Sequence, residues 1–510
     1  MKNNSTKLIC SIAGNNIIQV SEMLKQAKQQ GADLAEIRLD FLTEKKLYAK
    51  LPELFEKSPI DLIVTCRTKN EGGNFLDNPA ERIKLLEISA RFERVKYIDC
   101  ELDIIDKINI NKPMIASAHL LKKVTPEIIL KKLDELNRSK SIVSKLAFVS
   151  ESASQAILAL EILAKNNEPA IIIAMNNAGS VSRIAAKKVE AFGSFFALEN
   201  YKKTAAGQVN INDAKLLYNW NEINKNTKLF GIVGCPVTHS QSPAIHNASF
   251  KKKNYNGLYT FLHTPASYEE FAKLGDAILE DTDLDFRGLS VTIPHKQNAI
   301  RWLGEENCDP LAVKIGAVNT ITFSEGKAFG TNTDCPAAIE TLCKKMKICP
   351  ADLADRKVAV LGSGGVARAI VAGLAEFKAD ISIYNRTVEN AQFLAEEFGC
   401  KFSGLSDFSN SDAEILINCT PIGMTPDCGI SPIEKLPASV KVVFDTIYNP
   451  LETKLLQQAR HANCLCVTGL DMFIKQAELQ FKTWTRQDAP SELMRSVVIK
   501  NLGLDQGKSS

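Results

Sequence analysis

The sequence predicts an α/β fold in two successive parts, an N-terminal (β/α)8 TIM barrel and a two-lobed α/β region. Eight short apolar segments alternate with helical patterns between residues 7 and 198. A polar run follows at 219–228 (NWNEINKNTK), and a new apolar strand begins directly after it. A glycine-rich turn at 362–367 then joins a strand to an alanine-rich helix.

Length and charge limit the interpretation. At 510 residues the chain is too long for one core, and about 150 residues per domain suggests roughly three domains. Charges of both signs are well mixed, with a net charge of +3, so we expect neither a nucleic-acid partner nor a membrane surface. The predicted domains are residues 1–218 (barrel), 219–228 (linker), 229–335 (substrate-binding domain), 336–468 (the domain with the glycine-rich turn) and 469–510 (a C-terminal helix returning to the substrate-binding domain, and a tail).

The thirteen cysteines indicate a compartment. Several, such as Cys10, Cys66 and Cys100, sit inside apolar strands, which is typical of buried thiols in a reducing environment. Cys464 and Cys466 form a lone C-x-C without a second ligand pair, so we expect no metal site. The N-terminus shows no signal-peptide pattern, and no apolar run reaches the ~20 residues of a membrane-spanning helix. We therefore expect a cytoplasmic protein.

Strands and helices alternate regularly in the first part. This alternation is typical of parallel βαβ units, and eight units in ~200 residues predict a closed barrel with its chemistry at the carboxyl ends of the strands. Amphipathic helices are predicted at 20–30, 79–92, 126–137 and 152–165. The predicted strands are 7–13, 34–40, 61–68, 97–102, 113–119, 142–149, 170–175 and 194–198.

Charged side chains collect at the ends of these strands. Glu36, Arg38 and Asp40 share one face of the second strand, because side chains in a strand alternate with a period of two. Buried charge is costly unless it is paired or functional, so these positions indicate an active site. The other charged residues predicted at this end are Arg67 after strand three, His119 in strand five, Lys145 in strand six and Arg183 after strand seven.

Lys145 is the candidate nucleophile. A strand lysine usually reaches solvent, and a lone histidine such as His119 is usually structural. A lysine flanked by arginines in a dry pocket instead loses proton affinity, since like charge and desolvation both disfavour its ammonium form. It can then form a Schiff base with a ketone, and the imine acidifies the adjacent C–H. His119 would carry the proton, and the arginines suit a carboxylate substrate.

The first part resembles the type I 3-dehydroquinate dehydratases over roughly residues 7–210. The matching motifs are EIRLD (36–40), TCRTKNEGG (65–73), SAH (117–119), SKLAF (144–148), the SR pair in GSVSRI (179–184) and GQV (207–209). The resemblance implies that Lys145 forms the imine and that His119 transfers protons. It also implies substrate contacts for Glu36, Arg38, Arg67, Arg183, Thr204 and Gln208. Thr204 stands where many members carry serine, and Ala206 where many carry proline.

The second part opens with another α/β pattern, with strands predicted at 229–233, 258–263, 286–293 and 318–323. Ser240 and Ser242 precede a helix that starts near Pro243, where serines either cap the helix or bind a polyol or carboxylate. Lys296 follows a strand in SVTIPHK, and Asp334 ends the motif GTNTD. Such a pair either passes a proton to a substrate oxygen during hydride transfer or forms an ordinary surface ion pair.

The glycine-rich turn predicts a Rossmann nucleotide-binding domain. Residues 362–367 read GSGGVA between a strand and a helix, which fits G-x-G-x-x-G/A and places a pyrophosphate at the helix N-terminus. The strand at 380–384 ends in Asn385, Arg386 and Thr387 instead of an acidic residue. An arginine and a hydroxyl suit a 2′-phosphate, so we predict NADP(H). Further elements are predicted at 357–361, 414–418, 441–445 and 465–468 (strands) and at 470–484 (a helix with Gln476 and Gln480 on one face).

The second part resembles shikimate dehydrogenase over roughly residues 228–490. The matching motifs are GCPVTHSQSPAIHN (234–247), SVTIPHK (290–296), AVNT (317–320), GTNTD (330–334), GSGGVARA (362–369), NRT (385–387), NCTPIGM (418–424), DTIYNP (445–450) and the QA of FIKQA (473–477). The resemblance implies that Lys296 and Asp334 are the catalytic pair. It implies shikimate contacts for Ser240, Ser242, Thr292, Asn319, Tyr448 and Gln476, and cofactor contacts for Gly362, Ser363, Gly364, Gly365, Val366, Ala367, Asn385, Arg386, Thr387, Thr420 and Gly469. Many members carry a second basic residue after NRT, where this chain has VEN.

The two resemblances together imply consecutive reactions of the shikimate pathway of aromatic amino-acid biosynthesis. 3-Dehydroquinate would be dehydrated to 3-dehydroshikimate, which NADPH would reduce to shikimate. One alternative is a Schiff-base aldolase-like barrel fused to a quinate dehydrogenase, although Ser240, Ser242 and Thr292 favour shikimate. The other is a non-enzymatic scaffold, which would be expected to have lost costly buried charges such as Lys145.

Overall fold

The computed structural model describes residues 5–43, 47–76, 78–199, 207–281 and 283–503. The chain forms two compact units. The first contains the described residues up to Thr238 together with Asn256–Phe286, and the second contains His239–Tyr255 together with those from Arg287 onwards. None of the described helices is both long enough and apolar enough to cross a membrane.

Eight parallel strands form a barrel in the first unit, as the sequence predicted. They are β1 (Lys7–Ile12), β2 (Leu34–Arg38), β3 (Leu62–Thr65), β4 (Val95–Glu101), β5 (Met114–Leu120), β6 (Val143–Phe148), β7 (Ala170–Ala174) and β8 (Gly193–Phe196). Their order in the sheet is β7-β6-β5-β4-β3-β2-β1-β8. At the seam the backbone N–H of Phe192 donates to the carbonyl of Ala170 at 2.9 Å, so the sheet nearly closes.

Helices follow the strands of the barrel. They are α1 (Ile17–Gln29), α2 (Leu47–Glu56), α3 (Pro79–Ser89), α4 (Leu102–Ile105), α5 (Pro126–Asn137), α6 (Ala153–Lys165), α7 (Ser180–Ile184) and α8 (Ile211–Leu216). Side-chain caps explain two of the starts, since Asn16 accepts from the Gln19 N–H and Asn78 from the Glu81 N–H. The four helices predicted in this part are confirmed as α1, α3, α5 and α6.

The interior of the barrel is apolar below its carboxyl end. The side chains in this layer come from nearly every strand, as expected for a packed barrel core. They are Ile9, Leu34, Ile63, Ile115, Val143, Ala147, Ile171, Ile173 and Phe195. The apolar layer leaves only the carboxyl ends of the strands for charged residues.

The barrel packs against further elements of the first unit: β9 (Lys228–Gly234), β10 (Gly257–His263) and α10 (Tyr268–Glu280). Strands β9 and β10 pair in parallel, α6 packs against α10, and α7 against β10. Helix α6 is buried on most of its circumference, whereas a barrel helix with a solvated outer face buries one side only. The predicted linker is anchored here, because buried Trp220 packs edge-on against Phe196 with ring centroids 4.9 Å apart.

The second unit begins with helices and an antiparallel set of strands. They are α9 (Ser242–Lys252), β11 (Phe286–Val291), α11 (Lys296–Leu303), α12 (Pro310–Ile315), β12 (Thr320–Ser324), β13 (Lys327–Thr331) and α13 (Asp334–Met346). Strand β12 pairs with β11 on one side and with β13 on the other. Lys296 and Asp334 are therefore the first residues of α11 and α13.

A six-stranded parallel sheet completes the second unit and confirms the predicted Rossmann fold. Its elements are β14 (Lys357–Leu361), α14 (Gly365–Glu376), β15 (Asp380–Asn385), α15 (Val388–Phe398), β16 (Lys401–Gly404), β17 (Ile415–Asn418), β18 (Val442–Asp445), α16 (Lys454–His461) and β19 (Leu465–Thr468), followed by α17 (Gly469–Thr485) and α18 (Ser491–Asn501). The strand order is β16-β15-β14-β17-β18-β19. Helix α17 packs on α13 and contacts β12.

Candidate active sites

Lys145 lies at the centre of the barrel site. Its Nζ donates to Glu36 Oε1 and to Asp99 Oδ2, both at 3.0 Å. The ammonium also lies 4.2 Å from the centroid of the Phe195 ring, the uppermost part of the apolar layer. The residue is only 4% exposed. Three strands, β2, β4 and β6, thus bring one lysine and two carboxylates together in a dry pocket.

The neighbours of Lys145 differ from the sequence expectation, which placed arginines beside it. Arg67 reaches the same cluster, but its guanidinium is 2.7 Å from Asp99 Oδ1 while Lys145 contacts Oδ2. One carboxylate therefore separates the two cations, because like charges this deeply buried need an anion between them. Burial alone would raise the pKa of Asp99, but Arg67 and Lys145 hold it below its usual range.

Arg67 is surrounded by acceptors from the barrel itself. Besides Asp99, its Nη1 donates to Ser117 Oγ at 2.8 Å, and lies 3.3 Å from Glu101 Oε1 and 3.4 Å from Glu71 Oε2. These carboxylates raise the pKa of Arg67, although burial opposes them. The guanidinium therefore organises three carboxylates around the site, in addition to the substrate contact implied for it.

His119 pairs with Glu71. Nδ1 of the imidazole lies 3.0 Å from Glu71 Oε2, so Nε2 is the nitrogen left for a ligand. Burial, Arg67 and Lys145 lower the pKa of His119 well below its usual value. Burial also raises the pKa of Glu71 to about 8, with Glu101 and Asp99 adding to the effect and Arg67 opposing it. The pair shares its proton near neutral pH, which suits acid–base chemistry.

Arg183 differs from the other arginines. It is 2% exposed, and its Nη1 donates to the carbonyl of Ala174 at 3.0 Å. No carboxylate in the described ranges pairs with it, and burial lowers its pKa to about 10. An unpaired buried guanidinium is costly, and a carboxylate ligand would complete its coordination.

The other predicted barrel residues lie around this cluster. Arg38 forms a bidentate pair with Asp40, with N–O distances of 2.8 and 2.7 Å. Gln208 is buried, with Nε2 3.5 Å from Ser11 Oγ. Thr204 falls outside the described residues.

Sequence reasoning missed Asp99, Glu101 and Glu71. Asp99 and Glu101 alternate along β4, the same period of two that identified Glu36 and Arg38. Glu71 stands in the motif TCRTKNEGG. The signals were present, but a strand end alone does not say which neighbouring side chains meet.

Lys296 and Asp334 form the pair of the second site. Lys296 Nζ lies 2.6 Å from Asp334 Oδ2, and the two side chains are 14% and 11% exposed. The lysine is also close to the glycine-rich turn, since a Cβ on Gly365 would lie 3.8 Å from its Cδ. A proton-transfer pair and a nucleotide-binding turn therefore adjoin each other.

Polar side chains surround this pair as the sequence predicted. Ser240 and Ser242 are joined by a 3.0 Å hydroxyl contact before α9. The Asn319 Oδ1 accepts from the Thr333 N–H at 2.8 Å, which ties β12 to the turn before Asp334. The Thr292 carbonyl accepts from the His295 N–H, one residue before Lys296. Gln476 donates to the Phe473 carbonyl, so its amide oxygen is left for a ligand.

A cavity of about 1080 Å³ opens over the glycine-rich turn. Gly362, Ser363, Gly364, Gly365 and Val366 line one wall, and Asn385, Arg386, Thr387 and Thr420 line another. Its charged lining residues are His239, Arg368 and Arg386, with no carboxylate among the described lining residues. Two residues of the predicted cofactor set do not line it: Ala367 is fully buried in the core below, and Gly469 packs against the backbone of 446–447.

The turn and the strand after it have the features of a dinucleotide site. Gly362 has φ +99°, a conformation that favours glycine. Gly364 has open space where a Cβ would be, and α14 begins at the next residue, so backbone N–H groups face the cavity. Arg386 is exposed at the end of β15 and has no acidic partner in the described parts of the chain. Among those residues, no group of three or more His, Cys, Asp or Glu is placed to hold a metal ion.

Comparison with known proteins agrees with both sites. Residues 8–225 match the family Type I 3-dehydroquinase. The rest matches the Shikimate dehydrogenase substrate binding domain (232–321), Shikimate / quinate 5-dehydrogenase (344–423) and the Shikimate 5'-dehydrogenase C-terminal domain (469–499). The bifunctional 3-dehydroquinate dehydratase/shikimate dehydrogenase of Arabidopsis thaliana is 34% identical over 521 residues, 97% of this chain and 84% of that protein. The chain belongs to this bifunctional family.

The dehydrogenase part of this family member also resembles separate proteins. The NADP(+) shikimate dehydrogenase of Methanocaldococcus jannaschii is 40% identical over 296 residues, 55% of this chain and 99% of that protein. A crystal structure of a shikimate dehydrogenase in complex with NADP+ is 39% identical with a TM-score of 0.50, covering 55% of this chain and 97% of its own. The predictions of a lyase barrel and an oxidoreductase are confirmed, and the aldolase-like and scaffold alternatives are set aside.

Proposed function

We propose that this chain dehydrates 3-dehydroquinate through a Schiff base and then reduces the resulting 3-dehydroshikimate to shikimate with NADPH. The observation that carries the proposal is Lys145, a buried lysine within 3.0 Å of two carboxylates at the carboxyl end of a barrel strand. Replacing buried ionic clusters by apolar side chains often stabilises a protein. A cluster of this density is therefore better explained by catalysis than by stability.

The dehydration uses Lys145 as nucleophile. Its ammonium must first lose a proton, and Glu36 and Asp99 are acceptors at 3.0 Å. The amine adds to the substrate ketone, and loss of one water gives the imine. The imine draws electrons from the adjacent C–H bond, whose proton leaves to His119 Nε2.

Elimination and hydrolysis complete the cycle. His119 returns its proton to the departing hydroxyl, so a second water leaves and a conjugated imine remains. Accepting a proton on Nε2 requires that Nδ1 carries a hydrogen and donates it to Glu71, which is 3.0 Å away. One water then hydrolyses the imine, which frees 3-dehydroshikimate and the amine of Lys145. The net change is the loss of one water from the substrate.

Arg183 is the proposed anchor of the substrate carboxylate, because it is the buried guanidinium of the site without a carboxylate partner among the described residues. Arg38, Arg67, Glu36 and Gln208 are proposed contacts for the remaining polar groups, together with Thr204. A bidentate carboxylate contact would fix the ring in one orientation, so that the ketone faces Lys145.

The reduction takes place at the second site. The cavity fits NADP(H), because it is long, lacks carboxylates on the described lining and carries Arg386 where a 2′-phosphate would lie. The bound cofactor supplies the hydride. Lys296 and Asp334, 2.6 Å apart, deliver the proton to the substrate oxygen. We propose Ser240, Ser242, Thr292, Asn319, Tyr448 and Gln476 as shikimate contacts.

Borohydride trapping tests the first half of the proposal. The protein is treated with 3-dehydroquinate and borohydride, digested, and analysed by peptide mass. We expect one reduced adduct on Lys145, and none in a Lys145→Met control. An adduct on another lysine, or dehydration without any adduct, would contradict the imine mechanism.

A second assay joins both halves. Oxidation of NADPH with 3-dehydroquinate as the only organic substrate requires dehydration before reduction. We expect it with the wild-type chain and with NADPH in preference to NADH. The ratio of NADP-dependent rates with shikimate and with quinate as substrates then tests the proposed selectivity for shikimate.

We also propose that the protein works in the cytoplasm. All thirteen cysteines are free in the structure, and Cys10, Cys66 and Cys100 are buried as predicted. This state is the one expected in a reducing compartment. Cell fractionation followed by assay of both activities tests the assignment.

A further inference from the structure

Tyr448 and Phe473 form a stacked pair at the edge of the nucleotide cavity. Their ring centroids are 4.5 Å apart and their planes differ by 20°. Tyr448 lines the cavity from the segment after β18, whereas Phe473 belongs to α17. Among the described residues nothing hydrogen-bonds to the Tyr448 hydroxyl. The phenol is thus held by its ring and not by its polar end.

The backbone explains why the stack forms. Helix α17 starts at Gly469, where a Cβ would overlap the carbonyl oxygens of Thr446 and Ile447, so only glycine allows the helix to begin this close. Phe473 lies one turn further along the same helix face. Its ring therefore reaches Tyr448, which directly follows the two residues that Gly469 touches.

Helix α17 gives this stack a rigid base. Near its first turn Asp471 pairs with Arg495 of α18. Further along, Gln480 accepts from the Ser290 hydroxyl at 2.8 Å and donates to the Thr320 hydroxyl at 3.0 Å. The helix is thus joined to β11 and β12, which lead to Lys296 and follow Asn319. Any motion of Phe473 relative to the substrate residues is restricted.

We propose that Phe473 is a positioning residue of the dehydrogenase, whose ring holds the Tyr448 hydroxyl in the orientation that contacts the substrate. The inference rests on the proposed function, in which Tyr448 contacts shikimate. Without the ring beside it, Tyr448 would occupy other rotamers. The fraction of enzyme ready to bind would fall, and the apparent affinity for shikimate would fall with it.

A double-mutant cycle tests the proposal in the full-length chain. Tyr448→Phe removes the hydroxyl and keeps the ring, and Phe473→Leu removes the stack and keeps an apolar side chain. We expect kcat/KM for shikimate to fall roughly tenfold in Tyr448→Phe, as for the loss of one hydrogen bond. Phe473→Leu should raise KM for shikimate about three- to tenfold, and should cause no further loss in the Tyr448→Phe background.

Controls separate positioning from folding. Phe473→Trp keeps an aromatic ring and should restore most of the KM, while dehydratase activity and NADP affinity stay at wild-type values in every variant. Additive losses in the double variant, or equal losses in Phe473→Leu and Phe473→Trp, would overturn the proposal while leaving the role of Tyr448 intact. No loss in Tyr448→Phe would instead remove Tyr448 from the proposed function, and this inference with it.

Discussion

The chain contains two lysines at carboxyl ends of strands, and their surroundings differ. Lys145 is 4% exposed and lies between two carboxylates above an aromatic ring. Lys296 has one carboxylate, at 2.6 Å, and its side chain is 14% exposed beside the glycine-rich turn. One site is dense in charge and dry, while the other is sparse and opens onto a cavity.

The difference follows from what each reaction asks of a lysine. A nucleophile must exist as a neutral amine for part of the cycle, so proton acceptors have to lie within reach in a water-poor pocket. A proton donor in hydride transfer works as the ammonium and needs one partner to orient it. The same side chain thus acquires two roles from its neighbours.

Removing Lys145 should give the largest effect. In Lys145→Met we expect dehydratase activity to fall on the order of 10⁴-fold or more, as for the loss of a nucleophile. Shikimate oxidation by NADP should be unchanged, which also controls for folding. Both rates are measured on the same preparation. A residual dehydratase activity within tenfold of wild type would mean that Lys145 is not the nucleophile.

Removing Lys296 should give a smaller loss in the other reaction. Loss of a general acid–base group typically costs about 10²- to 10⁴-fold, so Lys296→Ala should lower kcat for shikimate oxidation by this amount. Asp334→Asn should be less severe because the ammonium remains. Dehydratase activity serves as the internal reference for both variants. If it declines in parallel, the variants are misfolded and the comparison of the two lysines fails.

The contrast between the lysines could be predicted from the sequence only in part. Strand spacing placed Lys145, His119, Glu36 and Arg183 at one end of a barrel, and the structure confirms the eight strands. The expectation of arginines beside Lys145 was wrong, because Asp99 lies between it and Arg67. Sequence period shows which face of a strand a residue occupies, but not which side chains from other strands fill the space around it.

The edges of the sheets were also missed. Strands β13 and β16, reading KAFGT and KFSG, are short and largely exposed. Short, charged edge strands are common because they limit edge-to-edge pairing, and they lack the apolar run by which central strands such as β14 are recognised. Central strands of the Rossmann sheet were predicted to within a residue or two.

Arg386 tests the cavity side of the comparison. The residue lines the cavity and has no acidic partner in the described chain, so a 2′-phosphate would be its counter-charge. In Arg386→Ala we expect Kd for NADP to rise roughly 10- to 100-fold, as for a lost charged hydrogen bond, while Kd for NAD changes little. Titration with both nucleotides measures this. A parallel loss for NAD would place Arg386 away from the 2′-phosphate.

Glu71 tests the barrel side with the smallest effect. Burial raises its pKa to about 8, so at pH 7 it holds the proton it shares with His119 Nδ1. His119 accepts from substrate only when that proton has left the pair. Because a group with a pKa near 8 is about 10% ionised at pH 7, we expect dehydratase kcat/KM to rise about tenfold between pH 7 and pH 9.

The variant Glu71→Gln keeps the shape of the side chain and removes this ionisation. His119 alone, whose pKa is lowered by burial, Arg67 and Lys145, would stay neutral over the same range, so the profile should become flat between pH 7 and pH 9. Shikimate oxidation over the same range corrects for general pH effects on the protein. A rising limb that persists in Glu71→Gln would assign the titration to another group, and Lys145 itself would then be the candidate, since its amine must also lose a proton before it attacks.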